Sequence, residues 1–574
     1  MRTTHVLLFC LLGSVLACGD DAAPPALRVE VFGFGPNYMG GEGFVSGLPD
    51  FTDMQTVNVS LIQPLDRRLL ARESFVASSG TGKVPEVTFG QNLRLDLEVL
   101  NGMGQVIASG STPRFDFAPD DDDLSFRIQV AATNSFTPIG SVVLDSATQE
   151  RRFTQSRFDY RAMAETACET DAQCGPSATC TGTPKTCKTW LGRIGHSVAQ
   201  LSDGRVLVAG GGDPTPGAAP LTLPKYRTMT VDLQFFEPGT GYFTEAGFDS
   251  AGNDRFDRPF VHGTMTAIGE DRFIVAGGFT KTAQGVAAID SIYLVDARAA
   301  EGERVRPLKG SDGQVERLKV ARGWHAASYR PEDNSVVFSG GIGILGDDDI
   351  LSTFEVLNLT TGDVAGPFNM AQARAEHSSV MMGDGRSTWL IGGRNASGAT
   401  GTTEVITGQS SVAEASLRTA RFGHGAVRIA TSPNASLVMV IGGYLDADGA
   451  ATGSFEIGGL GRGSFQGAAN WSLASPRGRP MVYELPISRD IVVVGGRNQG
   501  NDVEQAERLV FKDLTDALPY EPRSSGTLAE HRYQGAGLVM SSGKVFLVGG
   551  VGLIQGSVAA RDSATMFNAN DPLP

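Results

Sequence analysis

A short apolar run closed by a pair of glycines occurs seven times in the last two-thirds of the chain, and no other feature restricts the fold as much. The first is Val206-Leu207-Val208-Ala209, followed by Gly210-Gly211. The others end at Gly277-Gly278, Gly340-Gly341, Gly392-Gly393, Gly442-Gly443, Gly495-Gly496 and Gly549-Gly550. Successive pairs lie 67, 63, 52, 50, 53 and 54 residues apart. Before each run comes another apolar stretch and a turn, as in His196–Leu201, Ser202-Asp203-Gly204, then Arg205 onward. Asp-Gly between two apolar stretches predicts a hairpin, because these residues accept the positive φ of a tight turn. A third stretch of strand-forming residues follows most pairs, as in Thr230–Phe236 and Thr353–Asn358, and a weaker fourth often follows. Four strands in each unit make a propeller blade.

A strand ending in Gly-Gly with a period near fifty resembles the kelch repeat. The resemblance covers residues 191–570 and implies an all-β fold with a seven-bladed kelch-type β-propeller over 190–574, similar to the central domain of galactose oxidase. It does not choose a function, because propellers serve as enzymes, binding modules and scaffolds alike. The seventh repeat has strands Gly535–Met540, Lys544–Val548 and Ser563–Phe567 but no fourth before the chain ends at Pro574. An open ring would leave an unpaired edge. A strand from before Arg193 is therefore expected to complete it, with Gly140–Leu144, Arg152–Tyr160 and Lys185–Trp190 as candidates.

The 574 residues exceed one ordinary domain. Gly is abundant, at 73 residues, which fits many tight turns between short strands. The net charge of −15 argues against nucleic acid as a partner, since phosphate binding needs a basic face.

Residues 1–18 read as an export signal: Arg2 is the positive start, and an apolar stretch too short to span a bilayer comfortably runs from Val6. Val15-Leu16-Ala17-Cys18 resembles the lipobox of bacterial lipoproteins, which implies lipidation at Cys18 and a short polar tether over 19–26. Gly19, rather than Asp, after the cysteine leans towards the outer membrane or cell surface. Residues 27–133 form a further β unit. Leu93, Leu95, Leu97 and Val99 alternate with Arg94, Asp96 and Glu98, and Leu124, Phe126, Ile128 and Val130 keep the same period. The expectation is a small antiparallel, immunoglobulin-like sandwich with one wet face. The acidic run Asp120–Asp123 reads as a solvated turn. A connector over 134–165 leads to a four-cysteine module over 166–189.

In that module Cys168, Cys174, Cys180 and Cys187 lie within twenty residues, which in an exported chain reads as a disulfide knot. Four cysteines allow three pairings, and the spacing does not choose. The stretch resembles small secreted bacterial modules, and that resemblance implies Cys168–Cys180 and Cys174–Cys187.

Five of the six histidines after His5 stand at one recurring place. His196, His262, His325 and His377 lie 14 or 15 residues before their glycine pair, and His424 lies 18 before. Arg193, Arg322, Arg374 and Arg421 stand three residues before their histidines, Arg258 four before, and Arg477 three before Pro480. In the last repeat His531 takes the Arg place and Gln534 the His place. A residue present in every unit is usually structural, here bonding to carbonyls of the neighbouring blade. The sharper alternative gathers Arg193, Arg258, Arg322, Arg374, Arg421, Arg477 and His531 at the propeller mouth, where they would hold an anionic protein or glycan.

Enzyme readings find less support. No cysteine follows Cys187, so the copper-radical cofactor of galactose oxidase, which needs a Cys–Tyr crosslink, cannot form in this propeller. No Ser-His-Asp arrangement has positional support in the sequence, and neither HExxH nor a phosphate-binding glycine loop occurs in it. The expected function is non-catalytic binding of an envelope or extracellular protein or glycan at the propeller mouth, with no cofactor, no metal and only a lipid anchor in the membrane. A carbohydrate-active enzyme is the alternative.

Overall fold

The computed structural model describes residues 8–10, 27–34, most of 53–144, 151–155, 178–181, 186–189 and most of 192–569. Cys18, Asp120–Asp123, Cys168, Cys174 and His531 lie outside these residues. The described residues are all-β and propeller-like, with no α-helix among them.

After residue 192 the described residues form seven principal antiparallel sheets in sequence order, six of four strands (the seventh sheet counting one strand from before residue 192) and one of three, each opened by a hairpin, with five two-stranded ribbons beside them. The opening strands are Ser197–Gln200, Thr264–Gly269, Ala326–Arg330, Ser378–Met381, Gly425–Ala430, Met481–Glu484 and Ala536–Val539. Each packs on the next, and the seventh packs on the first. The apolar runs before the glycine pairs are the second strands. Val206–Ala209, Ile491–Val494 and Val545–Val548 are buried throughout, so they form the core between neighbouring sheets.

The glycine pairs follow from that packing. The first glycine of each pair has φ between 56° and 64°, the second between 95° and 106°. A Cβ on Gly340 would lie 2.2 Å from the Arg374 carbonyl oxygen of the next sheet. The N–H of the following glycine, Gly341, donates to that same carbonyl at 2.8 Å. The seam between the seventh and first sheets is built alike, with Gly550 N–H donating to Arg193 C=O at 2.8 Å. Only glycine combines the positive φ with so close a backbone approach.

The seventh sheet takes its fourth strand from the N-terminal side, as expected, but from none of the three named segments. Ser135–Pro138 pairs antiparallel with Ala564–Asn568, and Phe136 packs on Phe567. Gly140–Leu144 instead pairs with Arg151–Gln155, and Thr186–Thr189 with Ala178–Thr181. In the latter hairpin Cys180 and Cys187 are direct register partners.

The N-terminal unit is one eight-stranded sheet wrapped on a core that includes Val57, Val59, Leu95, Leu97, Ile128 and Val130. It is not antiparallel throughout. Leu27–Phe34 runs parallel to Leu124–Ala132, which the long intervening stretch permits as a crossover. Leu8–Cys10, within the expected signal, pairs with Arg28–Glu30. The face expected to be wet is also covered. Arg94 and Asp96 are buried and paired at 2.6 Å, because this face packs on the seventh sheet. There Lys544 Nζ donates to Ser109 C=O at 3.1 Å, and Asn568 Nδ2 donates to Ala131 C=O at 2.7 Å. Burial pushes the Lys544 ammonium down to about 8, with Asp96 opposing and Arg94 adding to the shift. Alternation alone cannot tell a solvated face from one that meets another domain.

Candidate functional site

The repeated arginines do not face a mouth. Arg322, Arg374, Arg421 and Arg477 are fully buried, each inside its own sheet. Arg374 Nη1 donates to Gly392 C=O at 2.8 Å and Thr402 C=O at 3.0 Å, and Nη2 to Glu404 Oε1 at 2.6 Å. Arg322 with Glu355, Arg421 with Glu456 and Arg477 with Glu507 repeat the arrangement at 2.6–2.7 Å. Each glutamate also accepts two backbone N–H groups, as Glu404 does from Ala371 and Gln372. Burial pushes the guanidinium of each of these four arginines down, and its glutamate opposes the shift. The glutamate half of this lattice, 12 to 15 residues after the first glycine, is a regular signal that the reading of histidines and arginines passed over.

Arg193 is 2% exposed, with Nη2 3.9 Å from Asp232. In the second and seventh sheets the register differs from expectation by one residue or more. Backbone bridges Val261–Phe279 and Tyr533–Val551 correspond to Ile194–Gly212, so Phe260 and Arg532 hold the Arg place and Gly263 and Gly535 the His place. Arg532 donates to Gly549 C=O and Ser563 C=O, both at 2.8 Å. Arg258 lies outside the lattice, 41% exposed beside Asp257. Counting back through hairpins of unequal length concealed the shift. Phe260 has Tyr293 where four other sheets have Glu, and both are buried in one cluster, so an aromatic pair replaces the ion pair there.

The repeated histidines join neighbouring sheets. Nε2 of His196, His325 and His377 reaches Val548 C=O, Thr264 Oγ1 and Ser339 Oγ at 3.1, 3.1 and 2.9 Å. Burial, then the neighbouring arginine, pushes His196, His325 and His424 down to about 3, so they are neutral at pH 7.

Two residues beyond the Arg place the pattern stops repeating. Gly195, His262, Trp324, Glu376, Gly423, Arg479 and Gln534 occupy it, one per sheet, all with φ between 48° and 65°. The left-handed backbone turns five of the N–H groups towards the sheet before. His262, Trp324, Glu376, Gly423 and Arg479 donate in turn to the carbonyls of Gly195, His262, Trp324, Glu376 and Gly423 at 2.6–3.3 Å. Five of the seven carry side chains in a conformation that costs about 1 kcal/mol or more each, a strain that clusters at functional sites. This belt and the residues following it line an axial cavity of about 370 Å³.

The belt's side chains form a connected layer. Glu376 accepts from Arg394 Nε and Arg479 Nε, both at 2.9 Å, so an ion pair spans from the sixth sheet to the fourth. It passes over Gly423, where a Cβ would meet Arg479 Cγ at 3.0 Å. Trp324 lies under Arg479 at 5.2 Å and against His262 at 5.3 Å, and His262 Nε2 is 2.7 Å from Tyr226 Oη. Burial and the Arg479 charge push His262 to about 3. Burial works against the Arg479 charge, but Glu376 and Tyr444 outweigh it and raise its pKa. Among the described residues no three His, Cys, Asp or Glu gather as a metal site.

No protein-family model matches the chain, and no curated protein matches it. Among solved structures, "Structure of YjhT" is 12% identical, with a TM-score of 0.39 over 58% of this chain and 98% of that one. A fungal alcohol oxidase of the AA5 family, in complex with copper, is 16% identical, with a TM-score of 0.45 over 66% of this chain and 74% of that one.

Proposed function

We propose that the seven sheets are the blades of a seven-bladed kelch-type propeller, and that the protein binds an extracellular or envelope glycan or protein at its axial mouth without transforming it. The supporting observation is the belt: seven residues of six kinds held in left-handed conformation around one cavity, on a scaffold whose neighbouring positions largely repeat. A varied side-chain set on rigid elements suits recognition. The groups that proton transfer would need are already engaged. Glu376, the belt's carboxylate, is held by two guanidinium groups, and His262 is neutral and paired with Tyr226. The chain is read as exported and lipid-anchored at Cys18 in the outer membrane, with Cys168–Cys180 and Cys174–Cys187 closing the module before the propeller.

A glycan and envelope-protein binding screen, with and without added metal, tests this reading. Binding that Trp324→Ala abolishes while Arg258→Ala leaves intact supports the mouth. Turnover of a bound glycan, or binding indifferent to Trp324, refutes it. Cys18→Ser is expected to move the folded protein from the membrane to the soluble fraction, and continued sedimentation with membranes rejects the anchor.

A further inference from the structure

A second cavity, of about 60 Å³, lies where the N-terminal β unit meets the first and seventh sheets, and it shares no lining residue with the axial one. The N-terminal unit gives it Arg114, the stretch that closes the seventh sheet gives Thr137 and Ile139, and the first and seventh sheets give Phe236, Met540 and Lys544. Its walls are of two kinds. Ile139, Phe236 and Met540 are buried and apolar, with Met566 beside them. Lys544 and Arg114 carry positive charge, and Thr137 adds a hydroxyl. Lys544 is 6% exposed, and its ammonium donates to the Ser109 carbonyl at 3.1 Å. Arg114 Nη1 donates to the Ser202 carbonyl at 3.3 Å. Among the described residues neither cation is ion-paired. The other buried cations beside them differ: Arg94 holds Asp96 at 2.6 Å, and each of the four lattice arginines holds a glutamate. An ammonium buried without a counter-ion is costly, and the burial lowers the Lys544 pKa accordingly.

We propose that this interdomain cavity is a binding site for a short-chain carboxylate. The carboxylate lies between Lys544 and Arg114 and accepts from the Thr137 hydroxyl, and the alkyl chain lies against Phe236, Met540 and Met566. The volume admits about five non-hydrogen atoms, the size of propionate. Lys544 and Arg114 belong to different domains, so the bound anion ties one to the other. The site is separate from the axial mouth, and neither reading depends on the other.

Calorimetric titration of the full chain with propionate, 1-propanol and chloride reads the two walls separately. Propionate is expected to bind one to one, roughly tenfold or more tighter than 1-propanol, which lacks the charge, and than chloride, which lacks the chain. Lys544→Met keeps the buried stem and removes the ammonium. It is expected to weaken propionate roughly tenfold or more, and Arg114→Gln about three- to tenfold, while Arg258→Ala leaves binding unchanged. Saturating propionate is expected to raise the Tm of the unaltered protein but not that of Lys544→Met. Arg114→Gln, at the partly exposed rim, carries the test should Lys544→Met fail to fold. No binding of propionate, chloride bound as tightly (an adventitious ion only), or 1-propanol bound as tightly overturns the proposal. So does an affinity unchanged in Lys544→Met or Arg114→Gln, or an equal loss in Arg258→Ala. A raised Tm in Lys544→Met, with no propionate bound by the unaltered protein, assigns the cavity to buried water and overturns it as well.

Discussion

Arg322 and Trp324 are two residues apart, yet they belong to different kinds of structure. The arginine is one of a series, fully buried, with its guanidinium filled by carbonyls and a glutamate of its own sheet. The tryptophan is one of a kind, on a left-handed backbone beside an axial cavity. In this molecule repetition marks what holds sheets together, and the break in repetition marks the residues that line the cavity. Repetition predicts a structural role for both Arg and His, with carbonyls of the neighbouring sheet as partners. His196 has such a partner in Val548 C=O, whereas the Arg322 guanidinium bonds within its own sheet and its backbone carbonyl reaches the neighbour.

The comparison breaks most severely if the lattice loses a strand. A chain beginning at Arg193 keeps every belt residue but lacks Ser135–Pro138, which covers the edge of Ala564–Asn568. It is expected to be insoluble or to melt far below a chain beginning before the N-terminal β unit. Equal melting temperatures would show the strand to be dispensable.

Acid is the next largest lever, and it acts on both regions. His196, His325 and His424 of the lattice and His262 of the belt all have folded pKa values near 3, below the ordinary 6.5. Between these limits the unfolded chain binds protons that the folded chain refuses. The stability they contribute is therefore present above pH 6.5 and is lost as pH falls towards 3. Their combined slope is at most about 5 kcal/mol per pH unit. Urea titrations at stepped pH measure it, and His325→Gln and His262→Gln taken separately assign the lattice and belt shares.

Within the lattice, Arg374→Met leaves Glu404 buried without its cation and is expected to cost about 3–5 kcal/mol. The second sheet shows the remedy, with Phe260 and Tyr293 in the two places. Arg374→Phe with Glu404→Tyr is therefore expected to recover part of the loss, and a double-mutant cycle with no coupling would contradict that view.

Two glycine substitutions give the finest contrast. Gly340→Ala puts a methyl 2.2 Å from the Arg374 carbonyl oxygen, which cannot yield, and is expected to cost about 2–4 kcal/mol. Gly423→Ala has nearly the same φ but meets the flexible Arg479 side chain at 3.0 Å. It is expected to cost about 1 kcal/mol and to disturb the Arg479–Glu376 bridge more than the fold. Denaturant midpoints of the two proteins test the order.

What the sequence by itself determined is what repeats locally. The strand before each glycine pair, the hairpin before that strand and the number of repeats follow from short-range patterns, since apolar periodicity and positive-φ turns are written in adjacent residues. Tertiary structure alone decided the rest. Ser135 and Asn568 meet although more than four hundred residues separate them, and nothing near either announces the other. Arg94 and Asp96 are dry because a second domain covers a face that alternation would leave wet. Phe260 stands in an Arg place because register is set by pairing across a hairpin of variable length. The belt was least legible of all. Its seven members share a backbone conformation and a position around an axis, and side-chain identity carries no trace of either.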